Sequence, residues 1–334
     1  GNIAQNSTTF RIDTGVPALA ILFPTNNSNS SNINLDVNFT AGDVSSISSC
    51  WYSNDTYLAN ITLASCANIT TVIWSEGNHN VTVYANDTAG NYNFSSVSFR
   101  IDSVNPLIPI INPTNNTNTS NTALDVNYTI VDAGVFESCW YNNDTYNVAN
   151  KSLGSGGTCS NITNITWAEG LHNVTIWVND TAGNVGQNTT TFRIDSVVPA
   201  LAILFPTNYT NSSNINLDVN FTAGDVSSIS SCWYSNDTYL ANITLSNCAN
   251  ITTVTWSEGN HNVTVYANDT AGNYNFSTVS FRVDSVSPTI PIVNPTNNTN
   301  TSNTALDVNY TIVDAGVFES CWYNNDTYNV LNKS

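Results

Sequence analysis

Short alternations of apolar and polar residues run the length of the chain, broken every few positions by Asn, Asp, Gly or Pro. In 33–40, Leu35, Val37 and Phe39 point one way while Asn34, Asp36 and Asn38 point the other. A period of two marks a strand with one buried face, and no stretch shows the 3.6-residue period of an amphipathic helix. The same reading predicts an edge-type first strand at Ala18–Phe23, bracketed by Pro17 and Pro24. It places further strands at Ile47–Ser53, 70–74, 79–85 and 95–102, with a less regular stretch over 58–66. The segment 86–91 reads as a turn in which Gly90 suits a positive φ. About seven strands with turn signals every 8–12 residues predict an all-β, immunoglobulin-like sandwich.

This pattern repeats. Residues 1–152 return as residues 183–334 with 16 differences. Phe10, Phe99, Phe192 and Phe281 mark a shorter period, 89, 93 and 89 residues apart, so the unit is about 90 residues in two alternating subtypes. A long fixed period speaks for architecture before chemistry. The expected organisation is tandem sandwiches, beads on a string. Residues 1–13 are the terminal strand of a preceding domain, 14–102, 103–195 and 196–284 are full domains, and 285–334 is an incomplete one. Flexible Gly/Ser linkers are absent between units, and Pro17, Pro106, Pro199 and Pro288 stiffen each junction. With no Met and with ends that fall inside units, the sequence reads as a window on a longer repetitive polypeptide.

Cysteines follow the same rhythm. Cys50 and Cys66, Cys139 and Cys159, and Cys232 and Cys248 form one close pair per unit, and Cys321 corresponds to Cys139. Paired Cys imply an oxidising compartment, and thus an extracellular or cell-surface setting. A bond closing a loop of this length adds about 3 kcal/mol through the unfolded state. The spacing places it between the third strand and the crossover that follows, unlike the inter-sheet bridge of antibody domains.

Charged residues make up 9% of the chain, against about 25% in ordinary soluble domains. Six basic and 24 acidic residues give a net charge of −18, which argues against nucleic acid or an anionic membrane as partner. No apolar run approaches the roughly 18 residues of a membrane span. Asparagine carries the solubility instead. The chain holds 57 Asn, and 34 of them head an Asn-x-Ser/Thr triplet, the acceptor motif for N-linked glycans. Candidate acceptors in the first full unit are Asn38, Asn54, Asn60, Asn68, Asn80, Asn86 and Asn93. The second unit offers Asn115, Asn118, Asn127, Asn143, Asn161, Asn164, Asn173, Asn179 and Asn188. The third has Asn208, Asn211, Asn220, Asn236, Asn242, Asn250, Asn262, Asn268 and Asn275, and the last Asn297, Asn300, Asn309 and Asn325. Several recur at one outward strand position, as with Asn38, Asn127, Asn220 and Asn309.

The EGNHNVTVYA strand at 76–85, the NDTAGN turn at 86–91 and 268–273, and the closing SFRID strand at 98–102 resemble the tandem bacterial and archaeal Ig-like domains of large surface proteins. The CWYSND stretch at 50–55 and 232–237 is similar to versions found in archaeal cell-surface glycoproteins. The resemblance spans essentially the whole chain. It implies a structural protein, a glycosylated filament, sheath or surface stalk; the alternative is the shaft of an adhesin whose binding head lies elsewhere. Implied partners are covalent N-linked glycans and further copies or continuations of the chain.

Other chemistry is thin. Asp13, Asp102, Asp195 and Asp284 end terminal strands at junctions, and Asp43, Asp132, Asp87 and Asp180 lie in turns. Such carboxylates could hold Ca²⁺ between units, but no loop of closely alternating carboxylates is present, and turn capping is the simpler reading; no cofactor is expected. His79, His172 and His261 recur beside Glu76, Glu169 and Glu258 without a further His or Cys ligand, which points to a structural role at strand entry. Trp51, Trp140, Trp74 and Trp167 read as core residues rather than a sugar-stacking face. A Lys–Asn crosslink is disfavoured, because the 89-residue units contain no Lys. An enzyme would need its catalytic set in several identical copies. The incomplete last unit also admits completion by a strand from another molecule, although continuation of the same chain is simpler.

Overall fold

A computed structural model describes residues 1–55, 59–144, 150–237 and 241–324. The chain divides into two compact units, one formed by Gly1–Thr117 with Ala123–Phe192 and the other by Asn118–Thr122 with Arg193–Ser334. Each is described by itself.

Among the described residues the first repeat supplies seven strands: β1 (Ala18–Phe23), β2 (Ser28–Ser30), β3 (Asn38–Gly42), β4 (Ile47–Ser53), β5 (Ile61–Leu63), β6 (Gly77–Asp87) and β7 (Tyr92–Ile101). β1 pairs antiparallel with β3 in a small sheet. The opposing sheet has the order β2-β7-β6-β4-β5, in which β2 runs parallel to β7. A cis Phe23–Pro24 bond lies where the chain passes from the first sheet to the second. Between the sheets, Val37, Val81, Val83, Ala85 and Ile101 are wholly buried, and Leu35, Phe39, Tyr52, Ile69, Trp74, Val97 and Phe99 nearly so. Each such side chain contributes about 1.5–3 kcal/mol of apolar burial. Trp74 closes the core and donates its indole N–H to Leu35 O at 2.8 Å, so its one polar atom is satisfied.

The second repeat comprises β8 (Ile110–Asn112), β9 (Thr117–Thr119), β10 (Asn127–Tyr128), β11 (Phe136–Asn143), β12 (Lys151–Ser155), β13 (Gly170–Asp180) and β14 (Val185–Ile194), with sheet orders β10-β8 and β12-β11-β13-β14-β9. In the other unit, the third repeat matches the first: β15 (Ala200–Phe205), β16 (Thr210–Ser212), β17 (Asn220–Gly224), β18 (Ile229–Ser235), β19 (Ile243–Leu245), β20 (Gly259–Asp269) and β21 (Tyr274–Val283). Its large sheet has the order β16-β21-β20-β18-β19. The final segment carries β22 (Ile292–Asn294) paired with β23 (Asn309–Tyr310). Among the described residues no helix is long and apolar enough to cross a membrane.

The expected strands are present with three changes. Burial alternates through Leu35, Val37 and Phe39 as expected, but ladder pairing starts only at Asn38. The cause is the segment expected as a strand at 70–74, which is irregular and crosses over the 33–37 backbone. Val37 and Ile69 exchange N–H···O bonds, and Trp74 N–H donates to Ile33 O. Residues 1–13, expected as the terminal strand of a preceding domain, carry no strand in this structure. Finally, β2 is a strand that the sequence pattern does not announce.

Candidate functional site: sequon faces and aspartate junctions

Alternation on the long hairpins decides which Asn side chains face out. On β6, Val81, Val83 and Ala85 are fully buried, while Asn80, Tyr84 and Asn86 occupy the other face. Exposed sequon residues are Asn60, Asn68, Asn115, Asn161, Asn164, Asn173, Asn188, Asn208, Asn211, Asn242, Asn250, Asn297, Asn300 and Asn309. Half-buried ones are Asn38, Asn54, Asn80, Asn86, Asn93, Asn118, Asn127, Asn179, Asn220, Asn236, Asn262, Asn268 and Asn275. Asn143 differs: at 2% exposure it sits inside, whereas its counterparts Asn54 and Asn236 are half-open. Asn325 lies outside the described residues.

The amide groups separate these further, because a glycosylated Asn keeps its Oδ1 and one N–H. Asn68 and Asn250 use only Oδ1, accepting from Phe39 N and Phe221 N at 3.0 Å. Such a contact orients the amide and leaves Nδ2 pointing away. By contrast, Asn93, Asn188 and Asn275 spend an Nδ2 hydrogen on the carbonyls of Pro17, Ile108 and Pro199. Asn118 donates to Thr270 Oγ1 at 2.8 Å and Asn179 to Glu137 Oε2 at 3.1 Å.

The tryptophans split into two classes. Trp74, Trp167 and Trp256 are core residues, 3–4% exposed. Trp51 and Trp140, expected in the core, lie instead on the outer face of the large sheet, because their strand parity opposes that of Cys50 and Tyr52. Trp51 stacks on Tyr84 with centroids 5.5 Å apart, Trp140 on Trp177, and Trp233 on Tyr266.

The histidines hold strand entry, as expected, but through a different carboxylate. His79 is buried beside Trp74 and Phe99, with Nδ1 2.5 Å from Asp55 Oδ2 and Nε2 2.7 Å from Ser75 O. Asp55 also accepts from Asn80 N. His172 pairs likewise with Asp144, and His261 with Asp237. Glu76 turns to the linker and accepts from Ser103 N and Oγ. These two bonds hold its carboxyl below the usual carboxylate range, against burial and with help from Arg100. The predicted disulfides Cys50–Cys66, Cys139–Cys159 and Cys232–Cys248 are formed. Cys50 lies on β4 and Cys66 on the short 3₁₀ turn after β5, which ties strand to crossover.

The junctions bring together aspartates that are far apart in sequence. Asp13, Asp43 and Asp87 meet at the first, Asp102, Asp132 and Asp180 at the second, and Asp195, Asp225 and Asp269 at the third, each group with carboxylate oxygens within 4.8 Å of one another. Asp102 follows β7 of one repeat, while in the next Asp132 lies in a loop and Asp180 ends β13. The NDTAGN turn presents the third aspartate. Asp87 Oδ1 accepts from Ala89 N and Asn91 N, its Oδ2 accepts from Asn91 Nδ2, and Gly90 takes φ +94° to allow the bend. Asn91 Nδ2 also donates to Asp13 O, Asn184 to Asp102 O and Asn273 to Asp195 O, so one amide joins turn and incoming strand. The scarce arginines serve the same place: Arg11, Arg100 and Arg282 donate to the carbonyls of Val44, Ala133 and Ala315. Burial, Asp102 and Asp180 together raise the Asp132 carboxyl above its ordinary range. Seven of these nine aspartates stood out in the sequence, where turn capping was the simpler reading, but Asp225 and Asp269 did not, and neither did the threefold convergence. It also missed Asn91, Asn184 and Asn273, whose one signal was an invariant place in a repeated turn.

No protein-family model and no curated protein matches this sequence. Solved structures similar to it are tandem domain arrays. The N-terminal eight Ig domains of Down syndrome cell adhesion molecule align at 13% identity and TM-score 0.49, over 80% of this chain and 36% of that one. Domains A168–A170 of titin align at 10% identity and TM-score 0.36, over 80% of this chain and 97% of theirs. Fibronectin(III)-like modules of Clostridium thermocellum CbhA align at 17% identity and TM-score 0.33, over 53% of this chain and 94% of theirs. The strand pairing described above carries the assignment: tandem immunoglobulin-like β-sandwiches.

Proposed function

We propose that the chain is a structural or adhesion-type extracellular repeat protein, a heavily N-glycosylated filament, sheath element or surface stalk. The observation that carries this reading is the placement of the sequon asparagines. Of those in the described residues, Asn143 alone is buried, and the rest line outward strand faces and turns of near-identical sandwiches. Disulfides in each full repeat fit an oxidising exterior. The shallow depressions of about 540 and 500 Å³ recur at equivalent places beside Asn80 and Asn262. Duplication of this kind suits a scaffold better than a catalytic centre. Glycans at these positions supply the hydration that a 9% charged chain lacks, and they obstruct edge-to-edge strand pairing, the hazard of repetitive β-proteins.

Glycopeptide mass mapping of native material tests this. Peptides covering Asn60, Asn68, Asn242 and Asn250 are expected to carry glycan mass, and the peptide covering Asn143 is expected bare. Bare peptides at all of the exposed sequons would sink the reading.

A further inference from the structure

We propose that the three junctional aspartate clusters are Ca²⁺ sites, one ion per junction, each fastening the end of one repeat to the turns of the next. The proposal deepens the structural reading above and rests on it for its purpose, though not for its chemistry.

Spacing comes first. Ca²⁺ takes carboxylate oxygens at 2.3–2.6 Å, so ligands around one ion lie up to about 5 Å apart. Three oxygens within 4.8 Å of one another match a single central cation. Buried groups without partners are the second, independent observation. Asp102 is 2% exposed with Oδ1 unpartnered, and Asp195 is 4% exposed with Oδ2 unpartnered. Neither oxygen of Asp132 has a hydrogen-bond partner of good geometry among the described residues, with only the neighbouring Ala133 and Gly134 N–H groups close by. Buried carboxylates are normally paired or bound to metal, because an uncompensated charge in the interior is costly. The Arg100 guanidinium stands 3.7 Å from Asp102 Oδ2, which leaves that cluster with excess negative charge.

The surroundings are prepared for a ligand role. Asp87 and Asp180 have their carboxylates fixed from behind by turn N–H groups and by the Asn91 or Asn184 amide, an outer layer that orients metal ligands. At the second junction a Cβ on Gly134 would stand 2.4 Å from Asp102 Oδ2, so the absent side chain makes room for that carboxylate. Gly316 stands in the same relation to Asp284, which repeats the device. An all-oxygen, multiply anionic set suits Ca²⁺; Mg²⁺ holds its waters and favours one or two carboxylates.

Isothermal titration of the chelator-treated full chain with Ca²⁺ alone tests the proposal. About three ions per chain are expected, one per cluster, with Tm rising on Ca²⁺ addition and falling on chelation. Asp132→Asn keeps the size of the side chain, and its amide oxygen can still take the weak contacts from the Ala133 and Gly134 N–H groups, so the variant keeps the fold, which circular dichroism verifies. It is expected to bind one ion fewer and, in chelator, to melt no lower than the parent. Asp218→Asn, outside the clusters, is expected to bind the parental number. No heat with Ca²⁺ and a Tm indifferent to chelator would overturn the assignment, as would parental stoichiometry in Asp132→Asn. Glycopeptide mapping is blind to bound cations, so failure here and failure of the glycosylated-scaffold reading are separable.

Discussion

An asparagine in this chain takes its role from the atoms its amide meets. Asn250 offers Oδ1 to Phe221 N and keeps Nδ2 outward. Asn273 spends Nδ2 on both Asp269 and Asp195 O and so joins turn to incoming strand. Asn143 ends β11 inside the fold. The triplet Asn-x-Thr reads alike in all environments, which is why the sequence shows the proposed acceptor surface as a whole and not the exception at Asn143. Junction asparagines are silent for the converse reason, since they belong to no sequon. Asn91→Ala is predicted to leave Asp13 O and Asp87 Oδ2 short of a donor and to cost about 1–3 kcal/mol. The loss is expected as faster hydrogen exchange at the Ala89 and Asn91 amides in the neighbouring turn. Asp55→Ala strips an acceptor from the buried His79 ring and from Asn80 N, with a similar predicted cost. Native-state exchange across the start of β6 measures it, whereas unchanged protection there would show that the pair is ornamental.

Elements with a clear apolar rhythm were legible: β1 and β4 have the bounds read from sequence, β6 extends two residues further at each end, and β7 starts three residues earlier and ends one earlier. β2 was not legible. Its residues Ser28, Asn29 and Ser30 are polar, and its strand character comes from parallel pairing with Phe99–Ile101, a contact some seventy residues away. The 33–37 segment misled for a related reason, because its apolar face is buried while its backbone is satisfied by the crossing 69–74 segment instead of a ladder. The disulfide that pins this crossover region is predicted to matter to the element. Removing it in Cys50→Ala/Cys66→Ala forgoes about 3 kcal/mol for a 16-residue closure. The urea midpoint of the first repeat, followed by exchange in β4 and β6, should fall accordingly. Glu76 gives the linker a pH response. Its folded pKa is lowered, so its contribution is present above the unfolded carboxylate value and disappears as pH falls through the lowered folded value. The protection factor of Ser103 N–H, corrected for the intrinsic slowing of exchange in acid, is expected to fall on acidification in the parent and to lose that acid dependence in Glu76→Gln.

At the scale of the whole molecule, the sequence displayed the period and the sandwich but not what the junctions do. Repetition is written in consecutive letters. The aspartate clusters depend on turns folding back against a strand that precedes them by thirty to eighty residues, and that geometry appears only with the fold. Once placed, the junctions account for most of the basic residues seen in contact, while the faces are left to Asn, Ser and Thr. The proposed division of labour sets hard polar contacts at the joints and sugar acceptors on the exterior. Imaging native surface material by electron cryomicroscopy tests it most directly. Continuous assemblies of sandwiches are predicted, with extra density branching from outward residues such as Asn60, Asn68 and Asn250, and clean side chains at Asn143. Dispersed single molecules with no density beyond the asparagine amides would contradict it.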